Sequence, residues 1–157
     1  MTVRFSGCLR MTKLFNTPFE TSLRVLLTLR VFGENMTLDK IAAVDFMTIY
    51  ALNFGISSYN LNGNNGFSFS EAASKRALVG KAIKQLVLDR LVSAVENRSG
   101  FTYEITAQGA LICDELASDY TDEYIAMSQA VYKHLEGKSE VAILAEINKR
   151  AISGKEE

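Results

Sequence analysis

The chain has 157 residues, 48% of them hydrophobic and 22% charged, enough for one well-buried core with an appended helical segment. A net charge of −1 and a pI near 5.9 exclude the strong overall positive field with which most autonomous duplex-binding domains release counterions. The charge is uneven: residues 1–113 hold 12 Lys+Arg against 8 Asp+Glu, whereas 114–157 hold 5 against 10, so a basic body carries an acidic tail.

The first ten residues, MTVRFSGCLR, carry charge but neither the apolar stretch nor the cleavage site of a signal peptide, and Met11 offers an alternative start. Residues 1–15 are read as a disordered N-terminal segment. Thr17-Pro18-Phe19-Glu20 is a capping box with proline at the first helical position. A helix follows on Leu23, Leu26, Leu27, Val31 and Phe32, and Gly33-Glu34-Asn35 stops it. This most apolar stretch contains Arg24 and Arg30 and is far shorter than the roughly 20 residues that cross a bilayer, so no membrane span is expected.

Thr37 caps a second helix whose apolar residues, from Leu38 to Leu52, cover more than one face and predict a central position. The stretch 55–67 holds four asparagines and three glycines, a loop longer than most and equally readable as an interaction element or a connector. Ser68 and Glu71 cap a third helix to about Asp89 or Arg90. At 100° per residue Ala72, Val79, Ala82, Ile83 and Leu86 share one face, and Ser74, Ala77, Lys81, Lys84 and Gln85 the other. Leu91–Glu96 and Phe101–Thr106 alternate about Asn97-Arg98-Ser99-Gly100, which predicts a β-hairpin, and Thr106 caps the next helix.

From Ala107 the periodicity predicts one helix through about Leu135, with Leu116, Tyr120, Tyr124, Met127, Val131 and Leu135 forming a stripe. A helix this long, projecting from a small core, has limited home surface, so the stripe is read as a seam for a partner in preference to intramolecular packing. Gly137-Lys138 breaks the pattern, and Val141, Leu144 and Ile147 mark a last short helix.

Three helices, a hairpin attached to the third and a long helix make a mainly α (α+β) chain: a winged-helix domain over 16–110 with a two-stranded wing, and a C-terminal helical extension over 111–157. In such a domain Lys81 and Lys84 face outward on the recognition helix, with Lys75, Arg76 and Arg98 nearby. Lys75, Lys81, Lys84 and Arg98 are therefore the candidates for phosphate contact, against the plainer reading of a solubilising face. That face lacks the Arg, Asn and Gln cluster of base readers, since Gln85 stands by itself.

Catalysis has little support. His134 and the isolated Cys8 and Cys113 give too few ligands for a metal site, and adjacent pairs such as Asp114-Glu115 and Asp122-Glu123 diverge on a helix. There is no G-x-x-x-x-G-K-[ST] for a phosphate loop. No cofactor or metal is expected, and widely spaced cysteines suit a reducing cytoplasm.

The segment from Val79 through Leu116 resembles the recognition helix, wing and following helix of MarR-type regulators, with Thr106, Gly109 and Leu111 matching a T-x-x-G helix start, although the wing turn is short and has a single arginine. A resemblance covering nearly the whole chain from Lys13 rests on Asn16-Thr17-Pro18-Phe19-Glu20, Asp45-Phe46, Ile49-Tyr50, Phe54-Gly55, Asn60-Leu61, Gly63 and Phe69-Ser70-Glu71. Together these resemble the middle component of bacterial ABC-three-component defence systems, as in the Lamassu group. The resemblance implies a non-enzymatic accessory subunit working beside an SMC/Rad50-like ATPase and an effector, commonly a nuclease, against phage or plasmids. By analogy with condensin-like complexes it implies bridging and gating near the ATPase heads. Double-stranded DNA would be touched without sequence preference, through Lys75, Lys81, Lys84 and Arg98, while Leu116, Tyr120, Tyr124, Met127 and Val131 would contact protein. The alternative is a MarR-like dimeric transcription regulator.

Overall fold

Pro18 opens α1 (Pro18–Phe32) in the computed structural model, which describes residues 18–61 and 69–155. A missing N–H breaks no intrahelical bond there. The caps expected at Thr17 and Ser68, the Asn-rich stretch from 62 to 68 and the N-terminal segment 1–15 lie outside the described residues. Gly33, at φ +62°, closes α1 by donating its N–H to the Leu29 carbonyl at 2.9 Å. Val25, Leu26, Leu29 and Phe32 are buried on this helix, and so is Arg24.

Thr37 caps α2 (Leu38–Ile49): its hydroxyl oxygen accepts the Lys40 N–H at 3.1 Å and its O–H donates to Glu140, at the start of α6. Every residue from Ile41 to Ile49 is buried. That follows from position, since α1, α3, α5 and α6 all pack against α2, as its all-round apolar surface requires. Beyond it, buried Asn60 staples the start of the loop: its carbonyl accepts the Leu52 N–H at 2.8 Å and its amide donates to Asn53 at 2.8 Å.

Helix α3 (Phe69–Leu88) packs Val79, Ala82, Ile83 and Leu86 into the core, the face the periodicity predicts. It ends at Arg90, which adopts a left-handed φ of 62° while the Leu91 N–H reaches back to the Leu86 carbonyl at 2.9 Å. Strands β1 (Val92–Asn97) and β2 (Gly100–Ile105) pair antiparallel from Val92↔Ile105 to Asn97↔Gly100, leaving Arg98 and Ser99 as the turn. Met36, between α1 and α2, adds a one-residue bridge on the far side of β2 by exchanging both backbone hydrogen bonds with Tyr103, at 3.0 and 2.8 Å. Three helices with a hairpin anchored this way form the winged-helix-like α+β layout expected.

The C-terminal part differs from expectation. One helix was predicted from Ala107 to Leu135; instead α4 (Ala107–Glu115) stops, Leu116 turns extended at ψ 121°, and α5 (Asp119–His134) starts anew. Ser118 caps α5 by accepting the Thr121 N–H at 3.0 Å, and Asp119 and Asp122 in the first turn suit the positive end of the helix. The break lets α5 fold back against α1 and α2. α6 (Glu140–Lys155) is longer than the short helix expected; of the residues that marked it, Ile147 is buried and Leu144 is half-buried against the core, whereas Val141 is 78% exposed and Ile143 is buried in its place.

Candidate functional site

The outward face of α3 and the adjoining hairpin form a surface whose geometry local chemistry sets. Thr106 welds the hairpin base to two helices: its N–H bonds the Leu91 carbonyl at 3.1 Å, its hydroxyl donates to the Arg90 carbonyl at 2.9 Å, and the same oxygen accepts the Gly109 N–H at 3.1 Å. Gly109 must be glycine for this approach, because a Cβ there would lie 2.3 Å from the Leu91 carbonyl oxygen. With Met36 holding Tyr103, the hairpin is fixed at its base and middle.

Along one face of the hairpin Ala94 pairs with Tyr103 and Glu96 with Phe101. Ala94, Phe101 and Tyr103 meet Ile83, Lys84, Val87 and Leu88 of α3 around a cleft of about 360 Å³. Leu88 is 75% exposed and Phe101 55%. On the same exposed face of α3 are Ser74, Ala77, Lys81, Lys84 and Gln85. Leu88 was absent from the sequence reading of this face, though the 100° projection places it between Lys84 and Lys81.

The four expected phosphate contacts do not stay together. Lys81 and Lys84 are exposed, and Arg98 is exposed in the turn. Lys84 lines the hairpin cleft, while Lys81 borders a second apolar groove with Phe19, Leu23, Leu26 and Ile112. Lys75 is a correction: it is buried, with its Nζ 5.9 Å from the centre of the Tyr50 ring, because its side of α3 turns towards the end of α2. No ion pair holds Lys81, Lys84 or Arg98 among the described residues.

The expected partner seam is a second correction. Tyr124, Met127 and Val131 lie in the molecule's own core, and Leu116 and Tyr120 are half-buried. The turn at Leu116–Ser118 brings α5 onto α1 and α2, which supply the home surface that a projecting helix would lack. A buried polar network pins it there. Asp45 Oδ1 accepts from Arg24 Nε at 2.9 Å and from the Tyr124 hydroxyl at 2.7 Å, and Thr28 and Tyr124 hydroxyls bond at 2.9 Å. Burial acts to discharge Arg24, but its attractions to Asp45, Tyr120 and Tyr124 together outweigh burial and hold the guanidinium protonated, while burial pushes the Tyr124 phenol well above its ordinary value. The sequence signal for this pair was an arginine at a buried helical position on α1 and an aspartate in the apolar run of α2.

The outer face of α5 carries Asp119, Asp122, Glu123 and Gln129. Among the described residues no cluster of His, Cys, Asp and Glu is arranged to hold a metal ion, and no helix is long and apolar enough to cross a membrane.

A family model described as ABC-three component (ABC-3C) system Middle Component 2 matches residues 14–157. No curated protein and no solved structure matches the chain significantly.

Proposed function

The chain belongs to the Middle Component 2 family of ABC-three-component systems, and from that membership we propose that it is a non-catalytic accessory subunit of a cytoplasmic defence complex acting against phage or plasmids. It works beside an SMC/Rad50-like ATPase and an effector nuclease of the Lamassu kind and bridges the two. Chemistry resides in those companions. DNA contact is secondary and sequence-independent, made by Lys81, Lys84 and Arg98.

The observation that carries this reading is the exposed face of α3 and the hairpin. It combines large apolar side chains, Leu88 and Phe101, with cations that lack carboxylate partners among the described residues. Such a mixture suits protein contact better than a phosphate backbone, which presents nothing for Leu88 to bury against. A MarR-like dimer would need an apolar seam on its C-terminal helices, and the α5 stripe is already spent in the core.

Co-expression of the chain with its two companion components, followed by purification through a tag on this chain, tests the proposal. The ATPase and the nuclease are expected to co-elute, and the isolated chain is expected to turn over neither ATP nor DNA. Elution of the chain without either companion would refute it. Tight, salt-resistant binding of the isolated chain to one promoter sequence would establish the regulator instead.

A further inference from the structure

Resting on that accessory-subunit reading, we propose that the cleft between α3 and the hairpin is a docking site for an acidic segment of a companion component, anchored by apolar side chains between Leu88 and Phe101. The cleft, about 360 Å³, is at the small end of binding pockets, room for one large side chain or two medium ones. Its walls are Ile83, Val87, Leu88, Ala94, Phe101 and Tyr103. The two most outward of these, Leu88 and Phe101, gain the most from being covered.

Charge defines the occupant. Several exposed or half-exposed cations elsewhere hold carboxylates of this chain, Arg30 with Asp114, Lys40 with Glu34, Arg76 with Asp39 and Lys138 with Glu146, whereas exposed Arg90, Lys133 and Arg150 form no ion pair among the described residues. Lys84 on the cleft wall and Lys81, one turn earlier on the same face, hold none among the described residues, and neither does Arg98 in the hairpin turn. Two carboxylates border this surface. Asp89 accepts from Gln85 Nε2 at 3.1 Å, and Glu96 lies across from Phe101 near the hairpin tip. The occupant's carboxylates therefore lie along α3, beside Lys81 and Lys84, and away from the tip.

Protein is favoured over DNA by the same residues. Gln85, the α3 side chain best able to read a base edge, has its amide engaged by Asp89, and Leu88 stands where a groove-reading helix presents polar groups. The hairpin is held by the Met36–Tyr103 bridge and the Thr106 weld, so the cleft exists before binding and little ordering is required on this side.

The experiment uses the assembled three-component complex. A photo-crosslinking amino acid placed at Leu88 or at Phe101 is expected to capture a companion segment in which apolar residues neighbour Asp or Glu. Leu88→Asp and Phe101→Asp are each expected to lower recovery of the complex about tenfold, an anchor-sized effect, whereas Val141→Asp, at an exposed position of α6, leaves recovery unchanged. Lys84→Glu should weaken assembly and be rescued by a carboxylate-to-lysine exchange in the captured segment. Crosslinks to DNA only, to a segment without carboxylates or to nothing, in a complex that still assembles, would overturn the docking site and leave the accessory role standing. Failure of the unaltered chain to assemble at all would remove both. If an aspartate variant misfolds, the crosslinking result still decides the question.

Discussion

Arg24 interrupts the most apolar stretch of the chain, yet it is 2% exposed and its guanidinium meets Asp45, 21 residues further on. Removing one partner of such a pair leaves an uncompensated buried charge, so Asp45→Ala is expected to lose about 3–5 kcal/mol. Tyr124→Phe deletes only a hydroxyl, the one that donates to Asp45 and bonds Thr28, and is expected to lose about 1–3 kcal/mol. Urea denaturation of the two variants checks the order, and equal losses would mean that Asp45 does not neutralise Arg24. Gly109→Ala pushes a methyl into the Leu91 carbonyl and is expected to lose about 1–3 kcal/mol or more as the hairpin base shifts; a thermal melt unchanged from the unaltered chain would contradict the close approach. Gly109 was visible in the sequence as part of T-x-x-G, because a cap and the close approach beside it are local events. Arg24 was visible only as an interruption, because its partner is distant in the chain.

At the scale of elements, the α4–α5 break was the least legible feature. Leu116 and Tyr120 keep helical spacing across it, so periodicity alone runs straight through, and the clue was the Ser118 cap with Asp119 and Asp122 behind it. On α6 several apolar residues allow more than one facing, and contact with α2 and α3 keeps Leu144 and Ile147 against the core while taking Ile143 in place of Val141. α6 is also tied to the end of α5, where Glu146 bonds His134 and Lys138, each at 2.8 Å. Burial raises the Glu146 carboxyl, but hydrogen bonds from Lys138 and His134 outweigh it and hold it below the ordinary 4.5. A carboxyl depressed in the folded state contributes stability above its unfolded value and loses it as pH falls through the folded one. Docking of α6 should therefore weaken as the pH drops below about 4.5, and Glu146→Gln should remove that part of the acid sensitivity. Hydrogen exchange of α6 amides across this range measures it; identical acid profiles for the variant and the unaltered chain would sink the assignment.

For the whole molecule, a net charge of −1 limits what the chain can do on DNA by itself. If Lys81, Lys84 and Arg98 each neutralise one phosphate, the slope of log affinity against log salt is about −3 at most, at roughly 0.9 per phosphate. Reversing Lys81 and Lys84 together should flatten it by about two. Fluorescence anisotropy on duplexes of unrelated sequence, titrated across salt, tests this, and a markedly steeper slope or a strong sequence preference would contradict the secondary role given to DNA. The membership shared by residues 14–157 places the molecule among subunits that act with others, and the mixed apolar and basic face of α3 is the surface proposed for that contact.

The sequence by itself determined the order of the first three helices, the hairpin and its turn, the Thr106–Gly109 junction and the inward face of α3. Each depends on hydrogen bonds or periodicity within a few residues. Only the tertiary structure decided that Lys75 turns inward, that the α5 stripe is consumed at home, that Arg24 finds Asp45, and that Leu88 and Phe101 remain uncovered. Whether a surface is left over depends on what else the chain lays against it, and the contacts that decide it, such as Thr28 with Tyr124 across 96 positions, leave no mark on local pattern.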